Sequence, residues 1–324
     1  MRLATFNLES LGTRKTGASP LAKRIQILEP QLERLDADIL CLQEVDGQHI
    51  PDSPERELTA LKELLTGTRY EGYDLVSTIG RSGQGVADVH NLVIASRFPI
   101  QHFAEIRHDL VDAPRYRLST AEPAESEAGE IVWDRPILHA TVTLEDGRAL
   151  HVINLHLRAP RAAPIPGRKD AASVWNSVDG WAEGFFVAAI KRLGQALELR
   201  RLADRIFGED PTALIAIAGD FNAEDHEVPL RIAVGSEDDT GNGALAGFML
   251  VPVDRMIAQD RRYTVTHHGR PLMLDHILVS RTLLGALRQV EVHNEVLFDE
   301  LIGPSRITGA PGSFHAPLIA EFAF

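Results

Sequence analysis

The residues best placed to do chemistry lie in the stretch Leu214–Asn222, LIAIAGDFN. Its apolar run reads as a buried strand and Gly219 as the start of a sharp turn, so Asp220 and Asn222 stand two residues apart at the mouth of a rigid element. A carboxylate there can hold a hard cation or orient a water, and a carboxamide can donate to a phosphoryl oxygen. The same pair could equally close a strand as a plain Asx turn, so the reading depends on whether other strands end alike. They do. Asn7 and Glu44 end two strand-like stretches near the start, Asn154 and His156 end a later one, Asp275 opens another, and His315 precedes the last. Strands of one sheet share an edge, so these ends would build a cleft rich in carboxylates and holding imidazoles. Hydrolysis of a phosphate ester needs that mixture: a hard metal ion against the phosphoryl oxygens, a carboxylate for the attacking water, and imidazoles to move protons or stabilise charge.

Strands must carry these groups. Arg2–Leu8, Ile39–Leu42, Tyr73–Ser77, Asn91–Ser96, Ile100–Ile106, Tyr263–Thr266, His276–Val279, Val290–Asn294 and Ala316–Phe322 read as strands. Pro136–Leu144 and Ala149–Leu155 flank Glu145-Asp146-Gly147, a hairpin signal. Ser19-Pro20 predicts a helix start, with Ser19 as the cap, and Leu21, Ile25, Leu28, Leu32 and Leu35 mark its buried face. Pro30 predicts a kink in it. Ala182–Ile206 is the longest expected helix. Gly80–Gly85, residues 108–134, and Glu224–Gly247 read as loops, and His267-His268 as a surface turn. The segment from Arg158 to Gly180 leaves directly after His156 and carries Arg158, Arg161, Arg168 and Lys169. It is expected to be a mobile, substrate-selecting loop whose basic residues recruit the phosphate, with Trp175 and Trp181 at its far end.

Composition narrows the class. The 324 residues are 44% hydrophobic, strands occur from end to end, and no linker or repeat interrupts them, so one domain over 1–324 is expected. Lys and Arg number 33 against 46 Asp and Glu, a formal net charge of -13, which disfavours long-range steering of a polyanion such as duplex DNA. The single cysteine, Cys41, excludes an internal disulfide and reads as a core residue. No run reaches membrane length, and the chain enters a strand without a hydrophobic leader, so a cytoplasmic protein with no obligate protein partner is the expectation. The absence of an HExxH motif or a cysteine cluster argues against a proteolytic or structural zinc site.

Six segments, in order from end to end, resemble the endonuclease/exonuclease/phosphatase superfamily, the DNase I-like proteins: TFNL at Thr5, LQEV at Leu42, NLHL at Asn154, GDFN at Gly219, LDHILVS at Leu274 and SFHAPLIAEF at Ser313. The resemblance implies an α/β fold of four layers, two mixed β-sheets face to face with helices outside. It implies hydrolysis of phosphoesters, first of all phosphodiesters, with Mg²⁺ or Mn²⁺ as cofactor. The substrate would be a small molecule or a nucleic acid. The alternatives are a nuclease proper or a non-catalytic binding protein that keeps the fold. Glu44 resembles the main metal ligand, with Asn7 and Asp220 beside it. Asp220 is similar to the residue that orients or deprotonates water. Asn222 would bind the scissile phosphate, with Asn154 and Arg158 on the substrate. His156 would act near a phosphoryl oxygen or the leaving group, and Asp275 would polarise His315. One departure stands out: the family pattern has Ser-Asp-His where this chain has Ser313-Phe314-His315. An aromatic ring cannot ligate a hard cation, so a weaker metal affinity is expected unless another acid fills the gap.

Overall fold

The computed structural model describes residues 1–13, 19–80, 83–300 and 312–324; the expected Gly80–Gly85 loop falls partly on residues outside these. Twelve strands form two six-stranded sheets. In chain order they are β1 (Arg2–Leu11), β2 (Ile39–Val45), β3 (Asp74–Ser77), β4 (Asn91–Ser96), β5 (Ile100–Ile106), β6 (Ile137–Thr143), β7 (Ala149–His156), β8 (Leu214–Asp220), β9 (Leu250–Pro252), β10 (Asp275–Ser280), β11 (Leu287–Val292) and β12 (Leu318–Phe322). The first sheet has the order β11-β12-β1-β2-β4-β3 and the second β9-β10-β8-β7-β6-β5. Each has one parallel pair at its centre, β1 with β2 and β7 with β8, and antiparallel partners around it.

The side-chain alternation of each central strand explains the layering. In β8, Leu214, Ala216 and Ala218 face the other sheet, while Ile215 and Ile217 face the helices. Ala140, Ala216, Ala218 and Ala320 share the layer between the sheets with Ile39, Cys41, Leu92 and Val152. Small residues there let the sheets approach closely. Outside the first sheet, Leu28, Leu32 and Leu35 of helix α1 (Leu21–Leu35) and Leu61 and Leu64 of α2 (Thr59–Leu65) cover Phe6, Leu40 and Val93. Outside the second, α3 (Val178–Glu209) and α4 (Val228–Val234) cover Ile153, Ile215 and Ile217 with Leu199, Leu202, Ile206 and Leu230. The result is the expected four layers, helix–sheet–sheet–helix.

Several local expectations shift. The helix cap position of α1 is Pro20 and not Ser19, with no side-chain cap bond. Pro30, where a kink was expected, lies within α1 on its exposed face, where the carbonyl left without a donor can turn to water. The 224–247 region contains α4, whose seven residues are too short to show a period. Pro at its start and Gly235, left-handed at its end (φ 69°), are the signals that were available. The 108–134 segment is not wholly solvated. Ile131 and Trp133 are buried against Ala163, Val187 and Ala188, and the carboxylate of Glu183 on α3 accepts from Tyr116, Ser119 and Thr120.

On the α3 side of the second sheet, the His139 and His151 rings stack with centroids 5.2 Å apart, and Nε2 of one meets Nδ1 of the other at 3.0 Å. Burial, then the neighbouring His151, push the His139 pKa down from 6.5 to about 4. Between those two values the unfolded chain binds a proton that the folded chain refuses. The stabilising contribution is therefore complete above pH 6.5 and declines as the pH falls toward 4. After a discount for partial exposure this is on the order of 1 kcal/mol. His139→Leu should accordingly lose less melting temperature than the parent protein between pH 7.5 and pH 5, by about 2–4 °C; parallel losses in the two proteins would show that the pair does not titrate with unfolding.

Candidate active site

The two parallel pairs end side by side, and the polar residues at their ends meet across the junction of the sheets. Asp220 ends β8 opposite His156 of β7 on one flank and Asp275 of β10 on the other. Gly219 precedes it, still inside the strand and not in the turn expected from the sequence. A Cβ there would lie 2.1 Å from the Leu155 carbonyl oxygen, so glycine is what lets β7 approach.

Asp220 is 1% exposed, and its carboxylate gathers the site. Oδ2 accepts from Asn7 Nδ2 at 3.1 Å, from the other sheet, and from Asn222 Nδ2 at 3.2 Å. His156 Nε2 lies 3.2 Å and His315 Nε2 4.0 Å from the same oxygen. Oδ1 accepts from the Asn222 backbone N–H at 2.8 Å. Burial, and then the neighbouring charge of Asp275, raise the Asp220 pKa. The His315 ring is oriented by Asp275, whose Oδ2 lies 2.8 Å from Nδ1. Burial opposes a charge on His315, but Asp275 and then Asp220 outweigh it, and its pKa is raised. His156 goes the other way: burial, then the Arg135 guanidinium, keep it well below the usual imidazole range. Burial works against the charge of Glu44, but the nearby His90 ring and the charges of His156 and Arg135 hold its carboxyl well below its usual value. Its Oε1 lies 3.8 Å from His156 Nε2, and its Oε2 lies 3.6 Å from His90 Nδ1.

The structure thus brings Asn7, Glu44, His156, Asp220, Asn222, Asp275 and His315 together. It treats three of the expected residues differently. Asn154 is fully buried between the sheets; its Nδ2 donates to the Leu42 and Val93 carbonyls and its Oδ1 accepts from Gln43 at 2.7 Å. That position ties the sheets together and leaves no atom for a substrate. Arg158 is held by Asp134 at 3.0 Å. Asn7 turns its NH₂ to Asp220, and its oxygen accepts from the Glu9 N–H at 2.9 Å, so ligation of a cation would use that oxygen's remaining lone pair. The basic residues of the 158–180 segment are likewise engaged: Arg161 with Glu300, Arg168 with Glu122, and Lys169 over the Trp175 ring. Only its first residues, Ala159, Pro160 and Arg161, border a cavity next to Asn222.

Sequence reasoning missed three residues. Glu9 lies on β1 two residues after Asn7, and its Oε2 accepts the Phe314 N–H at 2.7 Å. Burial raises its pKa, while the Phe314 amide and His315 oppose the rise. Its place two residues after Asn7 was the available signal. His90, beside Glu44, and Arg135, whose charge acts on Glu44 and Asp220, come from loops with no pattern to mark them. His276 points away from Asp275, as alternation requires. Fully buried, it reaches the Ala223 carbonyl oxygen at 2.9 Å and Asp254 at 3.2 Å, and so fixes the chain just beyond Asn222.

The donors present suit a hard divalent cation. One ligand atom each from Asp220, Asp275 and His315 lies within 4.8 Å of the others, and Asp275 Oδ1 is buried without a hydrogen-bond partner; the two carboxylates could serve a cation, whereas His315 in its charged form would stand beside it as a proton donor. The profile of the "Endonuclease/Exonuclease/phosphatase family" matches residues 4–298. The chain belongs to that family, and so among hydrolases that act on phosphoesters. No curated protein sequence matches it. Solved structures with the same fold include a mannosyl-6-phosphatase of Bacteroides thetaiotaomicron, with 15% identity, TM-score 0.60 and both chains covered in full. A 3′ phosphatase from Neisseria, bound to a product DNA hairpin, has 19% identity, TM-score 0.56 and full coverage of both chains. The human Nocturnin catalytic domain with bound sulfate has 21% identity and TM-score 0.54, over all of this chain and 94% of the other. At these identities the likeness is one of fold.

Removing the Asp275 charge should let burial dominate at His315. In Asp275→Asn, the His315 pKa followed by NMR without metal should fall by about one unit or more; an unchanged value would mean that Asp275 does not set the charge of the ring.

Proposed function

We propose that this chain is a metal-dependent phosphoesterase with Mg²⁺ or Mn²⁺ as cofactor, acting on phosphodiesters, and that residues 1–324 work as one domain. The observation that carries the reading is the convergence of Asp220, Asp275 and His315 beside the half-buried Asn222. Glu44, Asn7 and Asp220 would hold the cation, with Asp275 close by; when bound, it supplies positive charge against the phosphoryl oxygens. The protein's own groups do the rest. A phosphoryl oxygen takes the Nδ2 donor of Asn222, which leaves the Asp220 carboxylate one donor fewer to face as the attacking water approaches it. The water oxygen bonds to phosphorus as the bond to the alcohol oxygen breaks. Asp220 takes the water's proton, and the His315 imidazolium gives one to the departing alcohol. His156, kept neutral, donates to Asp220 and holds it in place.

Glu9 supports activity despite Phe314, because it brings an acid to the backbone of the very residue where the family pattern has one. Dialysis against EDTA should abolish hydrolysis of a generic aryl phosphodiester, and Mg²⁺ or Mn²⁺ should restore it; full turnover in excess chelator would sink the reading. Asp220→Asn should fold and lose roughly two to four orders of magnitude in kcat. A double variant at Asp275 and His315 should be little worse than either single one. Glu9→Gln should raise the Mg²⁺ concentration needed for half-maximal activity and Phe314→Asp should lower it; no change in either would show that neither position senses the cation.

A further inference from the structure

A cavity of about 360 Å³ shares Asn222 as a wall with the site and extends away from it. That volume falls within the range of small-molecule sites, roughly 300–1,000 Å³. Its chemistry is selective. Pro160, Val265 and Leu272 supply an apolar side, and Glu224, Glu227 and Glu300 supply carboxylates. The nitrogen donors among them are already matched: Glu300 lies 2.7 Å from His267 Nδ1 and 3.1 Å from Arg161 Nη2. His267 is thereby part of the cavity wall and not of a free surface turn. Glu227 accepts the Glu224 N–H at 2.8 Å and faces Arg192 at 3.8 Å. The Glu224 side chain forms no ion pair or hydrogen bond among the described residues.

This lining disfavours two kinds of occupant. Among the described lining residues, a second phosphate or a polynucleotide backbone would meet three carboxylates and one guanidinium, Arg161, already paired with Glu300. A nucleobase would find no Phe, Tyr or Trp among the described lining residues, and the two flat groups it would meet there, His267 and Arg161, are both held by Glu300. An uncharged alcohol with several hydroxyls fits: carboxylates accept its O–H groups, and its C–H face lies on the apolar side. We propose that the cavity receives the alcohol part of the substrate, and that this alcohol is a sugar or polyol, with Glu224 and Glu300 accepting from its hydroxyls. The proposal rests on the phosphoesterase reading and names its substrate class.

The test compares kcat and KM, with Mg²⁺ present, for glucose 6-phosphate, a bis-glycerol phosphodiester and a short single-stranded oligodeoxynucleotide. At least one of the first two should exceed the oligonucleotide in kcat/KM by about 10-fold or more. Leu272→Trp, which fills the cavity, and Glu224→Ala, which removes the unpaired acceptor, should each reduce that preference about 10-fold, mainly through KM. Thermal melts confirm folding, and Glu224→Ala at the rim carries the test if Leu272→Trp does not fold. Preference for the oligonucleotide, or a preference unchanged in the folded variants, would overturn the inference and leave the phosphoesterase intact. If no ester is hydrolysed with either metal, calorimetric binding separates the two ideas. Glucose 6-phosphate binding that is weakened in the variants would keep the cavity assignment and remove the activity; no such binding would remove both.

Discussion

The site depends on a carboxylate that the fold has taken out of water. Asp220 sits at 1% exposure, where an unpaired charge would be prohibitively costly. Its surroundings answer that cost with donors from separate elements: Asn7 from the first sheet, His156 from the neighbouring strand, and both the backbone and side chain of Asn222. Each of these residues is therefore positioned by the need of Asp220 for partners. The residues most useful to chemistry are also the ones that make burial of the acid tolerable. The strain is visible in the backbone, since Glu9, Glu44, His90 and Asn222 all have positive φ, between 48° and 59°. Non-glycine residues hold that conformation only where surrounding contacts enforce it.

Two buried basic side chains, Arg24 and His276, supply much of that enforcement from outside the site. The Arg24 guanidinium, on α1, donates to the Leu8, Glu9 and Gly312 carbonyls at 2.5, 2.9 and 2.8 Å. It thereby clasps the end of β1 to the segment that carries Ser313, Phe314 and His315. On the second sheet, His276 fixes the Ala223 carbonyl. Its pKa is raised: burial works against the charge, but Asp254 prevails. Arg262 completes the pairing by bonding Asp254 at 2.8 Å. Asn7 and His315 are thus held from one side and Asn222 from the other. The small residues between the sheets let the two held edges come within hydrogen-bonding distance.

Most of the sheet strands were legible because the central ones are buried on both faces and read as short apolar runs, whereas the three-residue β9 was not. NLVIAS and the hairpin around Glu145-Asp146-Gly147 lie where the pattern puts them. The residues at strand ends were legible because rigid strands leave few places for their last side chains to go. What escaped were features without a period. Helix α4 is two turns long. Arg135 and His90 sit in irregular chain. Asn154 alternates toward the other sheet and is consumed by Gln43 and two carbonyls, which strand position alone does not reveal. Charge was the least legible property of all. Four cations after His156 look like a phosphate trap in the sequence, yet three-dimensional pairing with acids from distant loops, such as Asp134 and Glu300, leaves little free charge there.

Phe314 shows the same lesson at a single position. Read alone, it removes a negative charge from beside His315. In the folded chain the Phe314 amide N–H is directed at Glu9, and Glu9 lies close enough to act electrostatically on both His315 and Glu44. The acid of the family pattern is absent at position 314, and another, Glu9, stands on β1, joined to Phe314 by a hydrogen bond. Because Arg24 grips the carbonyls on both sides of that bond, the Glu9 carboxylate and the Phe314 backbone are held to each other independently of the ring. The motif is therefore better defined by where a negative charge can reach His315 than by which residue precedes it in sequence.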